Sequence, residues 1–187
     1  LWLQPDYPLR RHTLQEGPAA TGFPQTTLAE GLDAFFNQLT GENLENLLLQ
    51  ELEHPGRLDD PVAAGSEPGG RRAAMALGPA LLVHFGAGTI PNPTLMSMVL
   101  GLLVRSAQFV KCATGASFVP RMFAHSLHEA EPKLASCLEI AEWRGGQAGL
   151  EQVLYQEADC VTATGTDETI ASIRSQVPWP VRFLGYG

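Results

Sequence analysis

From Ala80 to the end, the chain alternates between short apolar runs and stretches with helical spacing. Ala80–His84 leads into a helical pattern through Leu95–Val104, and Gln108–Ala113 into one through Phe118–Ala130. Cys137–Trp143 precedes a pattern at Gly149–Glu157, Cys160–Thr164 precedes one at Asp167–Gln176, and Val181–Leu184 closes the series. Apolar strands of this length separated by helices need a partner layer on each side and connections long enough to return to the same edge. A parallel sheet with right-handed crossovers and helices on both faces meets both needs. The expected fold is therefore α/β, a doubly wound five-stranded parallel sheet of Rossmann-like topology.

The preceding third of the chain has a different texture. Residues 1–26 hold several Pro and Gly, show no sustained period, and read as an irregular arm. Thr27-Leu28-Ala29-Glu30 has capping-box spacing, and Leu28, Leu32, Phe35, Phe36 and Leu39 follow at helical intervals. Thr40-Gly41 restarts the pattern for Leu44, Leu47, Leu48 and Leu52, and His54-Pro55-Gly56 ends it. Pro and Gly recur through residues 55–72, which read as a linker. The expected division is an N-terminal segment with a helical arm over 1–72 and a dinucleotide-binding α/β domain over 73–187.

Composition removes several classes of function. A net charge of −8, a pI near 5.0 and the absence of long Lys/Arg runs argue against nucleic acid and against an anionic membrane surface. They leave room for a phosphorylated cofactor, which needs only local donors. The longest apolar run, Leu95–Val104, is far shorter than the roughly 20 residues of a bilayer span. Cys112, Cys137 and Cys160 lie far apart, without a CxxC pair or clustered histidines, so neither a disulfide framework nor a metal site is expected. A reducing cytoplasm is the expected compartment. The chain starts at Leu1 with no signal-peptide pattern, so the expectation is a processed or truncated N-terminus.

Open α/β sheets bind ligands at the C-terminal ends of their strands, which directs attention to four strand-to-helix junctions. Phe85-Gly86-Ala87-Gly88-Thr89-Ile90-Pro91 is a GxGxxP loop, either a close-approach pyrophosphate loop lacking the third glycine or a tight turn. Lys111-Cys112-Ala113-Thr114-Gly115 ends an apolar strand with a lysine that could meet a ribose or phosphate, or snorkel at the sheet rim. Trp143-Arg144-Gly145-Gly146 could stack on adenine and pair with a phosphate, or be a packed tryptophan beside an exposed arginine. Gly165-Thr166-Asp167-Glu168 could offer free N–H groups to a phosphate; on local grounds it reads more simply as a helix cap.

Taken together and in this order, these loops resemble those of the LuxC-like acyl-CoA reductases of the aldehyde dehydrogenase superfamily. The matching stretches are Leu82–Pro91, Leu103–Ala107, Trp143–Gly146, Gly165–Glu168 and Arg182–Gly187, with Phe35-Phe36 and Leu48–Pro55 similar in the helical arm. Leu1–Thr26 is unassigned. The resemblance implies reduction of an acyl-CoA to an aldehyde with NADP(H), through a cysteine thioester whose nucleophile lies beyond Gly187. It turns the loop with Gly88 and Thr89 toward the substrate and nicotinamide, with Thr89 where the superfamily has an oxyanion-donating asparagine. It sets Lys111, Ala113 and Thr114 on a Lys-Pro-Ala-Glu motif. There the loss of the glutamate at Thr114 removes a carboxylate that would repel a ribose phosphate, which fits NADP(H). Arg144 and Gly145 join the cofactor set, and Gly165-Thr166 falls on the motif whose hydroxyl lies by the pyrophosphate.

Lys111 before it makes Cys112 a candidate local nucleophile, but neighbouring strand residues point to opposite faces. Cys137 and Cys160 read as core. The expected partners are acyl-CoA as substrate and a second copy of the chain or a fatty-acid-activating enzyme. Two other readings compete: a stand-alone nucleotide-binding or regulatory module, and a small doubly wound enzyme such as a transferase. A downstream domain with a reactive cysteine would favour the first reading, and a stop codon after Gly187 the module.

Overall fold

The computed structural model of the chain describes residues 1–63, 73–88 and 90–187. Its centre is a five-stranded sheet of β1 (Leu81–Phe85), β2 (Ala107–Cys112), β3 (Leu138–Glu142), β4 (Cys160–Thr164) and β5 (Arg182–Tyr186). The spatial order is β3-β2-β1-β4-β5 and every neighbouring pair is parallel. Helices α4 (Asn92–Leu103), α5 (Phe118–Ala130), α7 (Ala148–Glu157) and α8 (Asp167–Arg174) make the crossovers, with one short turn, α6 (Pro132–Ala135), before β3. The expected five-stranded doubly wound sheet is thus the observed one. The order reverses between β1 and β4, which opens a crevice at the C-terminal strand ends.

Strand alternation divides the core. Val83, Phe85, Val161 and Ala163 face Tyr155 of α7 and the apolar side of α8, while Val110 and Cys112 join Leu95, Met98, Val119 and Phe123 on the opposite face. On the α4 side, the ends of β4 and β5 keep an open apolar groove of about 480 Å³ bordered by Met96, Leu100, Leu184 and Tyr186. Helices occupy both faces, and α4 forms one wall of this groove.

Within that face lies a polar string. His84, 3% exposed, meets the Thr162 hydroxyl through Nδ1 (2.6 Å) and the Gln108 Oε1 through Nε2 (2.9 Å). Gln108 Nε2 donates to the Met98 carbonyl (3.1 Å), which turns its oxygen to His84, so Nε2 of His84 carries the proton and Nδ1 accepts from Thr162. Gly101 makes the space for this arrangement: a Cβ there would lie 2.3 Å from the Gln108 amide. That amide is tied on both sides and cannot swing away. Gly101→Ala is expected to cost about 1–3 kcal/mol, measured by urea unfolding, and unchanged stability would show that the Gln108 string yields freely.

The N-terminal segment corrects the sequence reading. Residues 1–26 are not irregular: α1 (Pro8–Thr21) runs through them, with Pro8 at its first turn and a left-handed Gly22 closing it. No apolar period revealed this helix because its buried positions are Arg10, Thr13 and Gly17. Arg10 donates to the Trp2 carbonyl (2.9 Å) and pairs with Asp33 (2.7 Å), while Gly17 lets Leu28 of the next helix approach. Trp2 donates to Ser126 Oγ (2.8 Å) and Tyr7 to Glu129 (3.0 Å), fastening the segment to α5. Helix α2 (Gln25–Gln38) begins before Thr27, after Pro24, and no side chain caps it, so the capping box does not form. Thr40 does cap α3 (Gly41–Leu52), accepting from Asn43 N. Of the expected linker, residues 64–72 lie outside the described residues; Pro55–Leu58 forms a short 3-10 turn, and Val62–Ala63 pairs antiparallel with Ala73–Ala74.

Candidate active-site cleft

A cleft of about 970 Å³ opens at the C-terminal ends of the strands. Its walls come from the β1–α4 loop (Gly86, Ala87, Gly88), from Lys111 near the end of β2 and Ala113 just after it, and from Gly145 and Gly146 after β3. Thr164 at the end of β4, Gly165 and Thr166 after it, the inner side of α8, and Tyr186 complete it. Backbone packing sets the first wall: Gly86 N donates to the Lys111 carbonyl (2.9 Å), and a Cβ on Gly86 would meet the Thr94 hydroxyl at 2.8 Å. Glycine is therefore required where the loop folds back over β2.

Lys111 pairs in register with Phe85 of β1 and Ala141 of β3, so its side chain emerges at the crevice beside the β3–α7 turn. The residue is only 6% exposed, and no ion pair among the described residues includes it. Burial holds its ammonium below the ordinary lysine range, with the Glu151 carboxylate acting in the opposite direction. The ammonium stands 5.8 Å from the centre of the Trp143 ring. Glu151, 4% exposed in the first turn of α7, accepts from Trp143 Nε1 (3.3 Å) and from Gly146 N (3.1 Å), both at Oε1. A buried carboxylate thus ties the glycine turn to the tryptophan at the corner where Lys111 stands. Sequence reasoning missed Glu151, because one acid on a helical face carries no signal until the fold brings it beside Lys111.

Of the residues singled out from the sequence, Gly88, Lys111, Ala113, Gly145, Gly165 and Thr166 line this cleft. Thr89 lies outside the described residues. Thr114 lines a separate, small cavity with Ala20, Thr21 and Phe23. The reason is Glu142 at the end of β3, which accepts from Gly115 N (3.0 Å) and Ser117 N (3.2 Å) and pulls the turn away from the crevice. Those N–H groups hold the Glu142 carboxyl below the usual range. Arg144 is exposed and outside the cleft lining, and Trp143 packs on Phe109 with its N–H used by Glu151, so the packed-tryptophan reading is the observed one. Thr166 caps α8 by accepting from Thr169 N (3.4 Å), and the Gly165 N–H is taken by the Tyr186 carbonyl (3.2 Å), which leaves it no free bond for a phosphate.

The cysteines divide differently from expectation. Cys112 and Cys160 are buried, but Cys137 is exposed, at the far end of β3 from the cleft. Burial pushes the Cys112 thiol up to about 11 and raises that of Cys160. Among the described residues, no group of three or more His, Cys, Asp or Glu is arranged to hold a metal ion, and no helix is long and apolar enough to cross a membrane.

The comparisons agree with this architecture. A solved structure of an Anabaena variabilis protein assigned as the aldehyde dehydrogenase PutA superposes with a TM-score of 0.69 at 18% identity. It covers 95% of this chain and 35% of its own, so the chain spans about a third of that protein's length. At this identity the likeness concerns the fold, a parallel sheet flanked by helices. No curated protein sequence matches the chain. The family model for acyl-CoA reductase (LuxC) matches residues 1–187, the full length, and the chain belongs to that family.

Proposed function

We propose that the chain is the dinucleotide-binding portion of an acyl-CoA reductase that makes aldehyde from (fatty) acyl-CoA, with NADP(H) as its cofactor and the thioester cysteine supplied from outside these 187 residues. The observation that carries this reading is the cleft at the strand-order reversal with the buried Lys111 cation at one corner, in no ion pair among the described residues. The cleft's volume suits an elongated ligand of dinucleotide size. Lys111 would donate to a ribose oxygen or a phosphate, Gly86–Gly88 would let backbone approach the ligand, and Thr166 would wall the α8 side. Bound there, the dinucleotide supplies hydride. The residues of this chain hold and orient it and exclude water from one side.

Titration of the 187-residue chain with NADPH and NADH, followed by calorimetry, tests the reading. Saturable binding is expected, weakened about thirtyfold by Lys111→Ala, about 2 kcal/mol for one charge-assisted contact. No heat with either dinucleotide at millimolar concentration would remove the cofactor assignment.

A further inference from the structure

The expectation of NADP(H) rests in part on Thr114, where loss of a carboxylate would make room for a ribose phosphate. Thr114, however, is not among the residues lining the cleft; it lines the small cavity on the α1 side that adjoins the cleft at Gly88. A carboxylate reaches the cleft by another route, from α7, in Glu151. Both of its characterised hydrogen bonds, from Trp143 Nε1 and Gly146 N, end on Oε1. Oε2 has no donor among the described residues. Lys111 shares this corner, with its ammonium 3.9 Å from where a Cβ on Gly145 would be.

We propose that Glu151 is a specificity-determining residue: lining the same corner as Lys111 beside the β3–α7 turn, it offsets the lysine's preference for a ribose phosphate, so this corner discriminates less between NADPH and NADH than Lys111 alone would. The inference rests on the dinucleotide reading of the cleft. A lysine alone would favour the phosphate over the free hydroxyl. A buried carboxylate beside it accepts from a ribose hydroxyl but repels a phosphate, and the low exposure of both groups limits screening by salt. The two opposed charges leave a corner open to either form of the dinucleotide, with the balance set by Glu151. The backbone turn keeps the carboxylate in place, because its Oε1 closes both Gly146 and Trp143.

Glu151→Gln separates charge from geometry. The glutamine carbonyl can still accept from Gly146 N and Trp143 Nε1, so the turn is retained while the negative charge is removed. Dissociation constants of NADPH and NADH are measured on the natural chain, on E151Q and on E151A, with circular dichroism confirming the fold of each. E151Q is expected to shift the NADPH-to-NADH affinity ratio about tenfold toward NADPH. E151A, which also releases the turn, is expected to weaken both dinucleotides while moving the ratio the same way. If E151Q binds both dinucleotides with the natural ratio, Glu151 does not read the ribose. If E151Q fails to fold, the ratio in E151A decides in the same sense. Absence of binding of either dinucleotide to the natural chain would instead overturn the cofactor reading itself, a result distinct from an unchanged ratio.

Discussion

Lowering the pH from 6.5 to 4 is expected to remove about 3 kcal/mol of folding stability through His84 alone. Burial of the imidazole lowers its pKa to about 4, with the Gln108 hydrogen bond opposing that shift only in part. Above pH 6.5 His84 is neutral in both the folded and the unfolded chain, and its contribution to stability is complete. As pH falls below 6.5 the unfolded chain takes up a proton that the folded one refuses, so stability drops. The drop ends near pH 4, where the folded form is protonated too, and a gap of about 2.5 pH units corresponds to about 3 kcal/mol. The hydrogen bonds do not prevent this loss. Protonated His84 could donate to both Thr162 and Gln108, so the penalty is the burial of its charge. Urea unfolding at closely spaced pH values, on the natural chain and on His84→Gln, isolates the effect from carboxylates that titrate lower in the range. Parallel stability curves for the two proteins between pH 6.5 and 4 would show that His84 is already solvated through the neighbouring groove.

That groove and that histidine mark where sequence reasoning stops. The apolar run Ala80–His84 correctly announced a central strand, and the pattern at Phe118–Ala130 coincides with α5. Both signals come from period and burial, which one sequence carries well. What the run could not show is that His84 is a wired polar centre, because its partners Gln108 and Thr162 come from strands distant in the chain. Helix α1 was invisible for a related reason. It is held by Arg10, Trp2 and Tyr7 through hydrogen bonds to other elements, and a polar buried face has no hydrophobic period.

The cleft shows the same division. Its positions at strand ends were legible because a doubly wound sheet gathers its C-terminal loops in one place, and Lys111, Gly145 and Thr166 meet there. The direction in which each loop then turns was not legible. Thr114 leaves the cleft because Glu142 holds the Gly115–Ser117 turn, and Glu151 enters it because α7 starts beside the β3 turn. Both outcomes depend on acids that have no motif of their own.

The largest effect is expected in the chemistry: incubated with a long-chain acyl-CoA and NADPH, this chain should form no acyl thioester at Cys112 or Cys160 and oxidise no NADPH. Thioester formation needs an exposed thiolate beside the site of hydride transfer. Cys112 is 1% exposed and its pKa is pushed to about 11, so on the order of one thiol in several thousand is ionised near pH 7.5. Lys111 does little to change this, since the two side chains leave β2 on opposite faces and burial outweighs its charge. Cys160 is buried at the start of β4 with its pKa also raised. Cys137 is exposed, but it precedes β3 and is separated from the strand ends by the length of the sheet, roughly 17 Å at the usual rise per residue. An acyl group there could not meet a hydride donor in the cleft. Intact mass measurement followed by peptide mapping reads the outcome, with Cys137→Ser removing incidental acylation of the exposed thiol. An adduct mapped to Cys112 and consumed as NADPH is oxidised would put the nucleophile inside these residues and overturn the proposal that it is supplied from outside them. Acylation confined to Cys137, without NADPH oxidation, is what the geometry of the sheet requires.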